Sequence, residues 1–473
     1  MNTTTKKRRI SRIVETVKTI VLTLLLVSLI ALVAVYIVRT RVYESVAAKT
    51  GLGSDFDKLW SVQSGTSPEG LDFAHLLPEF IGYKQSSSGD FLGSVADRDS
   101  ISELYTLTKP CILELFGKDS TCRKLSADDG EARFSAAAQS DEFVYIRYHT
   151  PVLYQIIYAY AADKLTVSEE DVAAGESGSI GAHIRDLIII PDKSFAAPRF
   201  LAYACDHDGN YFEFRPGDHF VSSEFSISQL TSGVTYAALY DFEFSADDRF
   251  LGLQPLTRDD IEIPDIVMEE SSPIDEETRT ALIRLFEYNL DKLDGYADND
   301  SYVYVDTHSQ LRVGSDTVSF YTHDATDETS LRGIDIESLL GYTLSDTAGL
   351  FDKLTAVDNL IRRLEEISEG LVGTDAQLCL GDVYSDGGLL VVEYFLTYNG
   401  IRISGEPYLR AVLTEKTVCE LVLYPMSVRR AETTTLAIDS AYIFERLDYT
   451  GEVDSVSLRY GEAAVGWVLI GAK

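Results

Sequence analysis

LFDKLTAVDNLIRRLEEI (residues 350–367) and LLVVEYFLTYNGIRIS (residues 389–404) together decide how this chain is read. In the first stretch Leu350, Leu354, Val357, Ile361, Leu364 and Ile367 recur three and four residues apart, which gives a helix one apolar stripe and a stop near Gly370. In the second, β-branched and aromatic residues run to Tyr398, and Asn399-Gly400 is the pair best suited to a two-residue hairpin turn before Ile401 resumes the strand. Further strands are expected at 378–383 and 417–423. A helix whose stripe is buried on one face of antiparallel strands is an α+β arrangement.

The pattern recurs on either side. Ala281, Leu282, Leu285, Phe286, Leu290 and Leu293 mark a helix that Asp275 can cap, followed by strands at 302–305, 310–313 and 317–321. Its stripe is read as core. A shorter helix at 437–446 precedes strands at 453–460 and 465–470. Nearer the N-terminus a helix is expected over 99–116 from Ile101, Leu104, Leu107, Ile112, Leu115 and Phe116, with Pro110 kinking or dividing it. A strand at 143–148 follows, and Pro151 is placed in the first turn of a helix reaching Tyr160. Residues 184–250 read as antiparallel hairpins, with one turn at Asp208-Gly209-Asn210. A boundary is expected between Pro264 and Pro273. The resulting division is a basic tail (1–18), a membrane helix (19–38), a connector (39–89), a first α+β region (90–268), a middle helix-plus-sheet module (269–345) and a C-terminal module (346–473).

Residues 19–38 hold twenty uncharged positions after the basic residues Lys6, Lys7, Arg8, Arg9, Arg12 and Lys18. At about 1.5 Å rise per residue they give roughly 30 Å, the thickness of bilayer hydrocarbon. A cleaved signal peptide has a shorter apolar region, so a retained single-pass anchor is expected, although a cut near Ser45-Val46-Ala47 is the alternative. The basic flank puts the N-terminus in the cytoplasm and the remaining chain outside. Thr23, Val27, Ala31 and Ala34, with Ser28 beside them, form a face of small and hydroxyl residues. Lipid gives helices no hydrophobic reason to associate, so such a face is the expected partner contact. Its bland reading is that these residues are common in any span.

Residues 42–473 hold 33 basic against 74 acidic residues, a balance of −41. That charge opposes binding to phosphate backbones or an anionic membrane surface. It keeps the domain soluble, or draws cations or a basic partner. The five cysteines (Cys111, Cys122, Cys205, Cys379, Cys419) are few and odd in number. They are read as core residues, with Cys111–Cys122 or Cys379–Cys419 as the alternative pairings.

Catalytic motifs are not found: there is no GxSxG, HExxH, Walker loop or SxxK set. GESGSIG (175–181) is a loop without the spacing of a phosphate cradle. Asp206-His207-Asp208 with Asn210 is read as a hairpin turn, since Gly209 comes too early for an EF-hand loop. Asp291, Asp294, Asp298 and Asp300 around Gly295 are read as a solvated turn, with weak Ca²⁺ binding as the alternative. The chain is expected to be no enzyme and to need no metal or cofactor.

The segment Val17 to Leu22 followed by Leu25, Val27 and Ser28 resembles the start of YycH proteins, membrane-anchored regulators of a cell-wall two-component system. Phe143-Val144-Tyr145-Ile146 before Thr150-Pro151, and Leu285-Phe286 before the hairpin at 302–313, are similar to the family's first and middle domains. Val392-Glu393-Tyr394 running into Asn399-Gly400, Ser455 to Tyr460, and Trp467 to Ile470 resemble the fold shared by YycH and YycI, which is related to PepSY modules. Two departures are Ile401-Arg402 after the hairpin glycine and Val465-Gly466 before the tryptophan, where the family tends to carry proline. The resemblance implies partners: a WalK-like sensor histidine kinase and a YycI-like companion, in a homo- or heterodimer, with regulation by contact rather than chemistry. The competing reading is an anchored binding module for a cell-wall fragment or a cation.

Overall fold

The computed structural model describes residues 70–471 outside the stretches 88–90, 163–170, 176–180, 193–198, 218–224, 231–237, 241–253, 257–260, 271–273, 289–293, 323–332, 368–374, 438–452 and 462–464 and positions 95, 173, 207, 287, 307, 345 and 346. The proposed span at 19–38, with Thr23, Val27, Ser28, Ala31 and Ala34, lies outside the described residues. Among the described residues no helix is long and apolar enough to cross a membrane.

The chain is α+β and rich in sheet. Its first sheet is built from β1 (Phe80–Lys84), β2 (Phe91–Ser94), β3 (Ser120–Lys124), β4 (Phe143–Leu153), β5 (Ala174–Gly175), β6 (His183–Pro191), β7 (Phe200–Cys205) and β8 (Tyr211–Pro216), in the order β2-β1-β4-β6-β7-β8-β3-β5. Alternate side chains of a strand serve opposite faces, and β4 shows it. Val144, Ile146 and Tyr148 join the core with α1 (Arg98–Phe116) and α3 (Tyr154–Ala162), while Phe143 and Tyr145 join a smaller core capped by Phe134 and Ala137 of α2 (Ala127–Ala138). The carboxylate of Asp97 caps α1 by accepting from the Ser100 amide, and the Ser126 hydroxyl caps α2 by accepting from Asp129.

Short strands β9 (Ala238–Tyr240) and β10 (Gln254–Leu256) pair with each other. β11 (Ile261–Glu270) lies antiparallel to β22 (Met426–Ala437), more than 150 residues away in sequence. The second large sheet follows the order β12-β13-β14-β15-β21-β20-β18-β19-β23-β24, with β16 (Ile334–Asp335) beside β21 and β17 (Gln377–Asp386) beside β18. The members are β12 (Asp294–Asp298), β13 (Ser301–Val305), β14 (Ser309–Gly314), β15 (Val318–Thr322), β18 (Leu389–Tyr398), β19 (Ile401–Ile403), β20 (Leu409–Leu413), β21 (Thr417–Leu423), β23 (Val453–Tyr460) and β24 (Val465–Gly471). Because β15 pairs with β21, the middle and C-terminal segments share one sheet. α4 (Glu276–Leu285), α5 (Ile336–Leu340) and α6 (Leu350–Ile367) belong to this half. Leu354, Val357, Leu360, Ile361 and Leu364 of α6 are buried in one core with Leu380, Val392, Leu396, Ala411 and Leu421. Each buried Leu, Ile or Val among them contributes about 1.5–3 kcal/mol.

Several expectations meet their elements directly. Asn399 and Gly400 both have positive φ (53° and 81°), as a primed hairpin turn requires. The Asp275 carboxylate caps α4 by accepting from the Thr278 amide at 2.7 Å. Others are corrected. Pro110 does not divide α1: it and Thr106, whose carbonyl it leaves unbonded, are exposed, so solvent can satisfy that group. Pro151 belongs to β4, where the register with β6 shifts between Arg147 and Val152, a place that tolerates a missing N–H; the helix starts at Tyr154. Asp294 and Asp298 bound strand β12 and Asp300 sits in the exposed turn after it, as a solvated turn requires, with Arg312 donating to Asp298 at 2.7 Å, while Asp291 lies outside the described residues. The stretch from Pro264 to Glu270 is strand, and residues 271–273 lie outside the described residues. The helix expected at 437–446 lies outside the described residues, except that Ala437 ends β22. All five cysteines are free and buried.

Candidate functional site

The apolar stripe of α6 contains an acid. Asp358 stands four residues after Leu354 and three before Ile361, on the face turned to the core, and none of its surface is exposed. A buried carboxylate needs donors, and the chain supplies them from distant segments. One oxygen accepts from the Asp72 amide at 2.8 Å. The other meets the Tyr394 hydroxyl of β18 at 2.8 Å, His75 Nδ1 at 3.1 Å and the Tyr160 hydroxyl of α3 at 3.3 Å. The two tyrosine hydroxyls are 3.0 Å apart.

His75 is held by a short 3-10 turn, Phe73–Leu76, that lies between the two halves. The Asp72 side chain caps it by accepting from Ala74. Phe73 stacks on Tyr105 of α1 with ring centres 4.3 Å apart, and Tyr105 meets Tyr148 of β4 hydroxyl to hydroxyl at 3.0 Å. From the other side Arg362 of α6 donates to the Gly70 carbonyl at 2.5 Å. The turn therefore joins the N-terminal sheet to α6.

Burial alone would lower the His75 pKa, but the Asp358 charge and hydrogen bond raise it overall. Burial likewise pushes Asp358 up, and His75, the Asp72 amide and the Tyr394 hydroxyl outweigh it and hold the carboxylate below its ordinary range. Tyr160 and Tyr394 are driven well up, first by burial and then by Asp358, so both stay neutral donors. A charged pair with two neutral hydroxyls, closed from solvent, is suited to holding two halves together.

Other charges serve single regions. Arg147 and Asp186 form a buried pair at 2.7 Å, joined by the Tyr145 hydroxyl. Glu213 of β8 is gripped by Arg123, Arg133 and Arg215 at 2.8–3.0 Å. A different group faces the junction of the sheets. Arg402 and Arg459 are register partners on the parallel strands β19 and β23, and both bear electrostatically on His149 of β4, as does Arg185 of β6. Burial first, and these three arginines next, hold the His149 pKa well below its usual value.

Asp206 accepts from the amides of Asp208 and Asn210 at 2.9 Å and from the Asn210 side chain at 2.7 Å, which makes the hairpin turn expected there. Among the described residues no cluster of His, Cys, Asp and Glu is arranged to hold a metal ion. Nothing near His75 in the sequence marks it for this role, because its acid lies 283 residues on. The available signal was Asp358 itself, a charge inside an apolar helical stripe.

No family model matches the sequence, and no curated protein matches it. Among solved structures, the chain is similar to the crystal structure of YycH from Bacillus subtilis. The likeness has a TM-score of 0.49 at 11% identity and covers 85% of this chain and 96% of that one.

Proposed function

We propose that the chain is a membrane-anchored regulator of a sensor histidine kinase in a cell-wall two-component system, acting by contact and without chemistry of its own. The observation that carries this reading is the order of the sequence matches. A basic flank and apolar span come first, then Phe143-Val144-Tyr145-Ile146 before Thr150-Pro151, then the hairpin at 302–313, then Val392-Glu393-Tyr394 before Asn399-Gly400, and last Trp467 to Ile470. The twenty-residue span supports a single-pass anchor with the later residues outside the cell. In this reading Thr23, Val27, Ser28, Ala31 and Ala34 pack against a helix of the kinase or of a YycI-like companion, because small residues let two backbones approach closely.

The deciding experiment replaces residues 19–38 with an unrelated membrane helix in the full chain. A regulator that works through its helix loses both signalling and recovery of the kinase on affinity purification from membranes. A tethered binding module keeps its activity, and that result would overturn the proposal. Ala31→Leu with Ala34→Leu tests the face itself: kinase recovery drops if these residues are the contact, and unchanged recovery places the contact elsewhere.

A further inference from the structure

A strand at the rim of a sheet carries one row of N–H and C=O groups without a ladder partner, and proteins usually blunt or cover such rows. The rims of the second sheet differ in this respect. On β17 the Gly381 carbonyl accepts from the Thr150 hydroxyl at 3.3 Å, and β24 lies against β22. β12, at the other end, pairs with β13 alone among the described strands. Gly295, Tyr296 and Ala297 are exposed in succession, and Tyr296, at 56%, is the most exposed large apolar side chain among the described residues. No proline, lysine or bulge interrupts Asp294–Asp298.

The hairpin sets which backbone groups point outward. Asn299 and Asp300 make a two-residue turn, with φ of 52° at Asn299, and Asp298 and Ser301 close it. A closing pair of this kind exchanges its hydrogen bonds across the ladder, so Asp294, Tyr296 and Asp298 spend theirs on β13. Gly295 and Ala297 turn theirs the other way. Each offers one donor and one acceptor to an incoming strand.

Charge selects the occupant. Asp294 and Asp298 bracket the strand and Asp300 follows in the exposed turn. Two cations stand nearby: Arg312 pairs with Asp298 at 2.7 Å, and the Arg279 guanidinium carbon lies 4.0 Å from the centre of the Tyr302 ring. The antiparallel register that pairs all of β12 with the same strand of a second copy sets residue 294 against residue 298, acid against acid. Each copy also carries a balance of −41 over residues 42–473. A basic segment meets neither penalty, so the same acids that repel a second copy admit it.

We propose that the free edge of β12 is a docking site for an extended, lysine- or arginine-bearing segment of a partner protein, which adds to the second sheet as a further strand. Backbone bonds to Gly295 and Ala297 hold the segment, and the acids along β12 and its turn set its charge.

The test is fluorescence anisotropy of a short, labelled, capped peptide of alternating lysine and valine, titrated with the purified full chain in detergent at physiological salt. Saturable binding is expected. The same peptide N-methylated along its backbone keeps its charge but loses its donors, and should bind roughly tenfold or more weakly. Ala297→Pro removes an outward N–H of β12 while leaving the ladder to β13, and should weaken the parent peptide to a similar degree. A peptide with glutamate in place of lysine should not bind. If Ala297→Pro unfolds the hairpin, the N-methylated peptide decides, because it leaves the protein untouched. Absence of saturable binding, or equal affinity for the N-methylated peptide, would overturn the proposal, the latter by showing attraction to the acidic surface at large. Equal binding of the glutamate peptide would overturn the choice of a basic segment. Self-association of the parent that Ala297→Pro abolishes, read by sedimentation, would put a second copy at this edge instead.

Discussion

Asp358 and Glu213 are both buried carboxylates ringed by donors, yet they fasten different things. Glu213 is held by three arginines whose side chains are 34–55% exposed, and its partners sit 2 to 90 residues away within one sheet region. Asp358 is held by one buried histidine, two buried hydroxyls and a part-buried backbone amide, and its partners come from up to 286 residues away. Arginines that reach solvent carry screening with them, so each pair contributes little alone. An enclosed network loses that screening and gains strength, but a missing member leaves the others unsatisfied. Glu213 therefore trims a sheet, whereas Asp358 decides whether two halves stay joined.

The largest effect expected from this contrast is on Asp358→Ala, which strands the His75 charge and two hydroxyls and should cost about 3–5 kcal/mol in denaturant unfolding. Glu213→Gln should cost about 1–2 kcal/mol, because its arginines can turn to water. Equal losses would erase the distinction.

A third buried carboxylate sharpens it. Glu114 of α1 has neither side-chain oxygen bonded among the described residues, and burial pushes its pKa up to about 7. The folded state thus keeps a proton that the unfolded chain releases near pH ~4.3. Stability from this group is complete below that value and is lost as pH rises through about 7. Glu114→Gln, which never ionises, should be more stable than the parent at pH 8 by about 2 kcal/mol and show little advantage at pH 4. A gain independent of pH would mean that Glu114 has a donor when folded.

The smallest effect is a pH window. His75 is raised when folded, so its contribution is full below about 6.5 and fades as pH climbs through the raised value; Asp358 is depressed, so its contribution holds above about 3.9 and fades on acidification. The stability gap between the parent and His75→Gln should be widest between about pH 4 and 6.5, of order 1 kcal/mol, and narrow on both sides. Paired thermal melts across pH 3–9 would reveal a flat gap if the pair were not coupled.

Local signals were legible in the sequence. The stripe on α6, the Asn399-Gly400 turn and the Asp275 cap depend on residues within a few positions of one another, and each appears where the spacing puts it. Pairings across long separations were not. Ile261–Glu270 looks like a proline-flanked boundary until Met426–Ala437 lies beside it, and nothing near Pro264 names that partner. β20 was missed for a similar reason: Leu409–Leu413 is short, and its place is fixed by β18 and β21 on either side. The Asp358 network was hidden twice, since its members are ordinary core residues taken singly and only the fold brings His75, Tyr160 and Tyr394 together.

The turn at Phe73–Leu76 has a mechanical meaning. Chain entering at Gly70 is met first by Arg362 on its carbonyl and by Asp358 on the Asp72 amide, both from α6, before it reaches β1 at Phe80. Tension along the chain from the N-terminal side thus loads a helix of the C-terminal half ahead of the strand that follows in sequence, and the first bonds to yield would be those of α6.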